Sequence, residues 1–396
     1  MEAIKHKKAL YNKWLSSKAN EDLKQYRECK RNVKKLVKVC KNETWEKICG
    51  EIDHTLGYSR SAQAWKILRK MRKNNNPSPV LQPVAMHQWK KYFQDLLKEQ
   101  RKEWRSEQYI PNGMNELDPI LEEEVREALK KAKGGKASGP GGVVAELWKY
   151  GSHQVVRLIT KMFNQIIEGD EIPADWNMSY VSAIHKKGSK KDPNNYRGIS
   201  VMSSISRIFN SIIKNRLERE IEGKISEEQA GFTVGRSCMD HIFSLRQISE
   251  KMYAKGRETH LVFIDLEKAY DSVPVKQLWK EMRGIGVNLP LVILVQRLYQ
   301  NRQAAVKIGK RLSHTFQTTK GLRQGCSMSP TLFKIYIQQI LKHWNDSCQG
   351  MGIPVGQETV HSLLFADDQV IIAQCREDAK FMVRKLLEAF EVGGLK

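Results

Sequence analysis

A pair of adjacent aspartates, Asp367 and Asp368, constrains the fold of this chain more than any other feature of its sequence. The pair lies inside the stretch from Leu363 to Ile372, between two short apolar runs that are rich in Leu, Val and Ile. Such runs predict two strands with the acids at the tight connection between them. Carboxylates held in that way suit a hard divalent cation such as Mg²⁺. Adjacent acids also commonly do no more than solvate a turn, so the rest of the sequence has to decide between the two interpretations.

The composition is that of a folded protein with an anionic partner. The 396 residues give room for two or three domains, and an apolar content of 40% with 8% aromatic residues excludes a disordered chain. The net charge of +23 opposes self-association and favours a nucleic-acid partner over a merely soluble basic protein. Residues 1–110 hold 26 Lys and Arg against 12 Asp and Glu, whereas residues 111–396 hold 41 against 32. The excess is therefore concentrated near the N-terminus.

Several classes of protein are disfavoured by the remaining composition. The seven cysteines are an odd number without framework spacing, which favours reduced thiols in an intracellular protein. Cys29, Cys40, Cys49 and His54 are spaced too irregularly for a common zinc site. The longest uncharged apolar stretch, Ile285 to Gln296, falls short of the roughly 20 residues that a membrane span needs. The first residues also lack the apolar core of a signal peptide. We therefore expect neither secretion nor a membrane partner.

The first 105 or so residues have a helical pattern with almost no Gly or Pro, and Asn74 to Pro79 reads as a linker. Tryptophans recur there among Lys and Arg clusters, a combination that can bind nucleic acid through phosphate contacts and stacking. In the alternative interpretation the tryptophans only pack helix against helix. We favour packing for the tryptophans and nucleic-acid binding for the net charge. The residues concerned are Trp14, Trp45, Trp65, Trp89 and Trp104.

The next predicted helix has clear start and stop signals in the sequence. Asp118 is the expected cap and Pro119 the first helical residue, with Glu122 to Glu124 at the positive end of the dipole and Gly134 as the stop. The glycine-rich loop that comes next lacks the spacing of a phosphate-binding loop, which disfavours an NTPase. That loop enters a predicted helix around Glu146 to Lys149.

Four further segments contain residue types that suit chemistry. Leu261 to Asp265 is an apolar run that ends in an acid, as in a buried strand that delivers a carboxylate to a sheet edge. Leu266 to Pro274 then predicts a turn that leads into a helix. In Gly321 to Pro330 the glycines allow close approach of the backbone to a ligand, before a helix that opens at Ser329. Asn194 to Ser200 presents Arg197 in a loop after several lysines. Each segment alone is weak evidence.

Taken in order, these segments resemble the reverse transcriptase of non-LTR (LINE-type) retrotransposons. Phe365 to Asp368 is similar to that family's Tyr/Phe-Ala-Asp-Asp motif, and Leu261 to Pro274 to its first aspartate motif. Gly321 to Phe333 resembles the Gln-Gly motif and Asn195 to Ser200 the Asn-Tyr-Arg-Pro-Ile-Ser segment. The resemblance covers roughly residues 115–396. Further similar blocks are Gly135–Leu147, Ser203–Leu217, Glu228–Phe232 and Gly235–Ser237.

The resemblance implies an α+β chain with the right-hand polymerase fold. Fingers and palm subdomains, with an antiparallel palm sheet, would follow a basic and mostly helical N-terminal region. The expected division is residues 1–110 for that region, 111–180 for an N-terminal extension of the reverse transcriptase, and 181–396 for fingers and palm. A thumb and an endonuclease are expected to lie outside this chain.

The resemblance also implies the ligands of the metal ions. Nucleotidyl transfer uses two divalent ions, one to activate the primer 3′-hydroxyl and one to hold the triphosphate. Asp265 and Asp367 are the expected shared ligands, from separate strands, and Asp368 is the expected supporting acid. The expected ion is Mg²⁺, with Mn²⁺ as an alternative.

Five more residues are expected to bind the nucleotide. Arg197, with weaker help from Lys187 or its neighbour Lys186, would neutralise the charge of the triphosphate. Tyr270, five residues after Asp265, stands at the family's steric-gate position, where an aromatic ring excludes a ribose 2′-hydroxyl; plain core packing is the alternative. Gln324 and Gly325 would line the nucleotide and template side.

The sequence departs from the family pattern at two positions inside motifs. Gly198 replaces the usual Pro after the arginine, which we expect to loosen the turn that presents Arg197. Gly141 replaces the usual Asp of the upstream Gly-Pro-Asp-Gly block. Neither change removes a group that the resemblance assigns to catalysis.

The function implied by the resemblance is RNA-directed DNA polymerisation. The expected partners are an RNA template, a DNA primer and deoxynucleoside triphosphates, in the nucleus and/or cytoplasm, with the nick supplied by another domain or protein. The alternative is a catalytically inactive remnant that acts only as a basic nucleic-acid-binding protein. An RNA-dependent RNA polymerase or a telomerase-like enzyme is disfavoured by Tyr270 and by the match at Asn195 to Ser200 and Phe365 to Asp368.

Overall fold

The computed structural model describes residues 2–57, 84–101 and 117–395. Its helices, numbered along these ranges, are α1 (Glu2–Ser17), α2 (Asn20–Gly57), α3 (Met86–Leu96), α4 (Glu122–Lys131), α5 (Ala145–Lys149), α6 (His153–Glu168), α7 (Ala174–Asn177), α8 (Ser204–Glu220), α9 (Cys238–Ala254), α10 (Ala269–Ser272), α11 (Val275–Gly284), α12 (Leu289–Tyr299), α13 (Ser329–Ser347) and α14 (Arg376–Gly393), with a 3-10 turn at Pro193–Asn195.

The strands form two larger sheets and a hairpin. They are β1 (Met178–His185), β2 (Tyr196–Val201), β3 (His260–Asp265), β4 (Gln303–Ile308), β5 (Arg311–Leu312), β6 (Phe316–Gln317), β7 (Ile353–Val355), β8 (Glu358–Val360), β9 (Ser362–Phe365) and β10 (Asp368–Ala373). The five-stranded sheet has the order β2-β1-β4-β5, with β6 also paired to β4. The three-stranded sheet has the order β3-β10-β9 and is antiparallel throughout. Strands β7 and β8 pair with each other as a hairpin.

The chain separates into two units, residues 1–76 with 145–158 and residues 77–144 with 159–396. In the first unit, α1 and α2 pack through an aromatic cluster in which the rings of Trp14 and Tyr26 stack 6.4 Å apart. Trp14 therefore packs helix against helix, as the sequence predicted. The exposed surface of α1 and α2 carries lysines, and the Nζ atom of Lys18 lies 5.4 Å from the centroid of the Trp14 ring.

In the second unit, α3 packs on the five-stranded sheet. Trp89 and Phe93 of α3 are fully buried against Val181 and Val306. This confirms a packing role for Trp89. The carbonyl of Leu97, which follows α3, accepts hydrogen bonds from the N–H groups of Thr319 and Lys320. Segment 84–101 is thus an integral layer of the second unit.

The expectation for Gly198 was wrong. Gly198 lies inside β2, paired with Ala183 of β1, so it does not loosen a turn. A Cβ atom at Gly198 would lie 2.5 Å from a ring carbon of Phe93 and 3.0 Å from the side chain of Val181. The glycine therefore makes room for the Phe93 ring over the strand that carries Arg197.

The expected start of helix α4 was also wrong. The helix begins at Glu122 instead of Pro119, and ends at Lys131 before the glycine-rich loop. Ile120 is held outside the helix because its N–H donates to the side-chain oxygen of Asn164 and its C=O accepts from the side-chain nitrogen of Asn164. Arg216 also donates to the carbonyls of Asp118 and Pro119. These distant partners outweigh the local capping signal.

The three-stranded sheet carries the aspartates. Leu261, Val370 and Ile372 pack with Ile248 and Met252 of α9, and α14 contacts β3 and β10. Side chains alternate between the faces of a strand, so the acids at positions 265 and 368 lie on the same face as Leu261 and Val370.

The predicted strand at Leu261 to Asp265 is present, but it is not fully buried. Phe263 is 73% exposed. In the described ranges, β3 is an edge strand of its sheet, which explains why an apolar run is left partly in solvent. The predicted helix that opens at Ser329 is confirmed.

Within the described ranges, no helix is both long enough and apolar enough to cross a membrane. Some predictions fall outside the described residues. These concern the linker from Asn74 to Pro79, Trp65, Trp104 and the side chain of His54. The proposed domain boundaries at residues 110 and 180 stay predictions.

Candidate active site

The Asp367-Asp368 pair lies at the connection between β9 and β10, as the sequence predicted. Ala366 and Asp367 form the two-residue turn, and Ala366 adopts a left-handed backbone with φ of 64°. Asp368 begins β10 and is paired directly opposite Asp265, the last residue of β3. Asp367 is half-buried, whereas Asp265 and Asp368 are exposed. The fold thus brings the three acids to one edge of one sheet.

The acids act on one another electrostatically. Burial, and then the negative charges of Asp367 and Asp265, raise the pKa of the Asp368 carboxyl above its usual value. The positive charges of Lys186 and Arg197 oppose this rise. Like charges brought together in this way favour protonation or a bound cation.

The three carboxylates fit a divalent ion by their chemistry, because oxygen donors of this kind are the preferred ligands of Mg²⁺. Across residues 2–57, 84–101 and 117–395, no group of three or more His, Cys, Asp or Glu side chains is gathered round one point as a finished metal site. The backbone register brings Asp265 and Asp368 together, and Asp367 precedes Asp368 in the chain. The mutual repulsion that raises the pKa of Asp368 is what a cation at this edge would relieve.

Two of the predicted cations, Arg197 and Lys186, act electrostatically on the acids. Arg197 is an exposed residue of β2, and its charge acts on both Asp368 and Asp271. The charge of Lys186 also acts on Asp368, whereas Lys187 is the next residue of the same exposed loop. The backbone N–H of Lys186 donates to the carbonyl of Asn195, which ties this loop to the start of β2.

Tyr270 is packed, and the charge of Asp367 acts on its hydroxyl. Its ring stacks on Phe333 of α13 with centroids 4.7 Å apart. The hydroxyl is buried, and no described residue offers it a hydrogen bond. Burial, followed by the charge of Asp367, raises the pKa of Tyr270. The ring is therefore packed against α13, and the role of Tyr270 as a steric gate stays a prediction.

The Gln324-Gly325 turn is attached to the arginine strand. The carbonyl of Gln324 accepts a hydrogen bond of 2.7 Å from the N–H of Ser200 in β2. A Cβ atom at Gly325, where φ is 103°, would lie 2.9 Å from the carbonyl oxygen of Ser200. The side-chain Nε2 of Gln324 donates to Oδ2 of Asp271 at 2.7 Å. The turn is thus fixed between Ser200 and Asp271.

Asp271 is a site residue that the sequence analysis did not single out. It is 8% exposed, and burial raises the pKa of its carboxyl to about 7 against the charges of Lys268, Lys320 and Arg197. A signal was available, because Asp271 is an acid that directly follows Tyr270 in the short helix α10. Gln324, whose side chain bonds to Asp271, is 53 residues away in the chain and could not be paired with it from the pattern alone.

Comparison with known proteins identifies the family. A model of the family described as reverse transcriptase (RNA-dependent DNA polymerase) matches residues 184–396, which is more than half of the chain. The chain belongs to this family. The α+β right-hand polymerase fold, with fingers and palm, is thereby confirmed.

Within the family, the chain is similar to proteins of non-LTR retrotransposons, as the sequence predicted. It is 25% identical over 280 residues to the Pol polyprotein of the type-1 retrotransposable element R2 of Nasonia vitripennis, covering 70% of this chain and 26% of that protein. It is 24% identical over 286 residues to the RNA-directed DNA polymerase of the mobile element jockey of Drosophila melanogaster, covering 69% of this chain and 30% of that protein. The chain therefore spans about a quarter to a third of the length of these relatives.

Among solved structures, the chain is similar to apo telomerase from Candida tropicalis truncated from its C-terminal domain. The TM-score is 0.43 at 12% sequence identity, with 65% of this chain and 59% of that chain covered. A likeness of this degree carries no argument about function.

Proposed function

We propose that this chain catalyses RNA-directed DNA synthesis by two-metal nucleotidyl transfer. The observation that supports the proposal best is the register of β3 and β10, in which Asp265 and Asp368 are paired next to Asp367. Membership of the reverse transcriptase family supports the reaction class. The expected ion is Mg²⁺, with Mn²⁺ as an alternative.

In this proposal the side chains have separate roles. Bound divalent ions would supply activation of the primer 3′-hydroxyl and stabilisation of the triphosphate. Asp265 and Asp367 hold the ions and Asp368 supports them. Arg197, with Lys187 or Lys186, neutralises charge on the triphosphate. The charges of Arg197 and Lys186 act on Asp368, which supports a triphosphate site shared by these cations and the acids.

The sugar and base of the incoming nucleotide would meet the remaining residues. Tyr270 limits space at the ribose 2′ position, since its ring is held by Phe333 and cannot easily move aside. Gln324 and Gly325 line the nucleotide and template side and are held in place by Ser200 and Asp271. The proposed substrates are a primed RNA template and deoxynucleoside triphosphates, and the proposed location is the nucleus and/or cytoplasm, with the endonuclease supplied elsewhere.

Primer extension tests this proposal directly. Purified chain is given a primed RNA template, Mg²⁺ and deoxynucleotides, and Asp367→Ala is expected to lower extension by at least about a thousandfold, because it removes a shared ligand. The control is Asp346→Ala, an exposed acid of α13, which should extend as the wild type does. Extension that persists in Asp367→Ala would overturn the assigned role of that residue.

A second candidate function is nucleic-acid binding without catalysis. It is favoured by the lysines that lie over aromatic rings in the first unit, Lys18 over Trp14 and Lys30 over Tyr26, on a strongly basic surface. Tight binding of primed template by a wild-type chain that extends no primer would favour this function over the first.

A further inference from the structure

The segment Glu228 to Phe232 has no role in the proposed reaction, yet it lies directly against the turn that carries Asp367. Gln229 is 3% exposed. Its side-chain Oε1 accepts a hydrogen bond of 3.0 Å from the N–H of Ala366, and its Nε2 donates to the carbonyl of Ala366 at 3.3 Å. One side chain therefore satisfies both backbone groups of the residue before Asp367.

The same segment is joined to β9 by its backbone. The N–H of Ala230 donates to the carbonyl of Leu364 at 2.9 Å, and the N–H of Leu364 donates to the carbonyl of Glu228 at 2.8 Å. Gln229 and Leu364 form a parallel bridge. Gln229 thus reaches Ala366 from a backbone that is itself fixed beside the strand leading into the turn.

Gly231 allows this close approach. A Cβ atom at Gly231 would lie 2.1 Å from the backbone nitrogen of Ala366, a distance that no side chain can tolerate. The N–H of Gly231 also donates to Oε1 of Gln229 at 2.8 Å, which fixes the orientation of the amide. The amide oxygen is therefore directed at the N–H of Ala366 and the amide nitrogen at its carbonyl.

Ala366 needs such support because of its backbone conformation. Its φ of 64° lies in the left-handed region, which alanine adopts only at a cost in energy. Strained backbone of this kind persists where the surroundings determine it. A buried N–H or C=O group that loses its partner is also costly. Without the Gln229 amide, relaxation of the turn would relieve the strain at Ala366 and would let its N–H and C=O groups find other partners.

We propose that Gln229 is a positioning residue that holds Ala366 in its left-handed conformation and so sets the carboxylates of Asp367 and Asp368 against Asp265. The inference rests on the proposed function for its consequence in catalysis. The two hydrogen bonds between the Gln229 side chain and the backbone of Ala366, called the clasp below, can be tested without any reaction.

The first measurement is amide hydrogen exchange in the turn. Gln229→Met keeps the side-chain length and apolar packing but removes the hydrogen bonds to Ala366. We expect the amides of residues 366–368 to exchange about tenfold or more faster, which corresponds to the loss of a hydrogen bond. Unchanged exchange at these amides would overturn the inference.

Asn164 provides a matched control. Its side-chain amide binds the N–H and the C=O of Ile120 in the same two-point manner, with distances of 2.6 Å and 3.0 Å, at a place outside the candidate site. Asn164→Ala should lower overall stability to a similar extent while leaving exchange at residues 366–368 unchanged. Faster exchange of that turn in Asn164→Ala would mean that any loss of stability opens it, which contradicts a specific clasp.

The second measurement is binding of Mn²⁺ alone, without template or nucleotide. We expect Gln229→Met to weaken Mn²⁺ binding by about tenfold relative to wild type and to Asn164→Ala, since displaced carboxylates lose part of their shared ion. In primer extension the Mg²⁺ concentration for half-maximal rate should rise by a similar factor, with the KM for nucleotide unchanged. A higher nucleotide KM at an unchanged metal requirement would overturn the positioning role.

A second-site change completes the test. Ala366→Gly relieves the strain at φ of 64°, so in the Gln229→Met background it should restore part of the Mn²⁺ affinity. A double variant no better than Gln229→Met would contradict the link between the clasp and the left-handed residue. If the wild type itself neither binds Mn²⁺ nor extends a primer, the proposed function fails, and hydrogen exchange still decides whether the clasp exists.

Discussion

At the scale of single residues, the candidate site combines buried polar side chains, which are fixed by hydrogen bonds, with exposed charged side chains. Asp271 is buried and bonded to Gln324, while Arg197 and Asp368 are exposed. Burying a carboxylate is costly unless it is paired, and here a hydrogen bond and the surrounding cations offset only part of that cost, because the pKa of Asp271 is still raised. The residues that touch substrate in the proposed reaction are therefore supported by residues that do not.

Asp271 should make stability depend on pH. Its pKa is raised from 3.8 in the unfolded chain to about 7 in the folded one, chiefly by burial. The folded state therefore favours the protonated form. Its contribution to stability is fully present below pH 3.8 and is lost as the pH rises towards 7.

The test of this dependence uses Asp271→Asn, which does not titrate but still offers Gln324 an acceptor. The free energy of unfolding of wild type relative to Asp271→Asn should fall by at most about 4 kcal/mol between about pH 4 and pH 7 and then stay level. Urea unfolding across this range measures it. A difference that does not change with pH would contradict the raised pKa.

At the scale of elements, helix α3 supports the strand that carries Arg197, although it lies outside the residues that the family model matches. Phe93 fills the space left by Gly198, and Tyr92 lies under the ammonium group of Lys268, 5.3 Å from the ring centroid to Nζ. The N–H groups of Thr319 and Lys320 bond to the residue after this helix. We therefore regard segment 84–101 as part of the structure that supports the proposed nucleotide-binding residues.

Gly198→Ala tests the fit of Phe93. The added Cβ would collide with the ring, so we expect a loss of about 1–3 kcal/mol of stability. In a Phe93→Ala background the same change should cost much less, which gives a coupling energy of about 0.5–3 kcal/mol. Urea unfolding of the two single variants and the double variant measures this coupling. Gly284→Ala, whose new Cβ would meet only a carboxylate oxygen of Glu281 at 3.9 Å, is the control. Additive effects of the two changes would contradict the proposed contact.

At the scale of the whole molecule, the features found from sequence were those fixed by local pattern. The strands on either side of Asp367 and the helix after Ser329 follow from apolar runs and from turn and capping residues close by in the chain. The features missed depend on distant partners. Asn164 sets the start of α4 from 44 residues away. Gln229 reaches Ala366 across 137 residues, and an edge position that exposes Phe263 cannot be read from a strand's own residues.

The basic charge of the molecule should appear in its binding of nucleic acid. Each phosphate neutralised by Lys or Arg releases counterions, so log affinity should fall with log salt by about 0.7 to 0.9 per contact. A filter-binding titration with RNA and with DNA of unrelated sequences measures the slope. Reversing the charge of Lys18 and Lys30 to Glu should make the slope less steep. An affinity that stays constant across the salt series would contradict this electrostatic binding.

The exposed edge strand β3 has a consequence for how the protein behaves at high concentration. An edge with free N–H and C=O groups and a large apolar side chain can accept a strand from another molecule. Strand β3 ends at Asp265 and carries Phe263, which is 73% exposed. A foreign strand added there would lie one strand's width from the acids, so aggregation would also obstruct the sheet edge that carries Asp265.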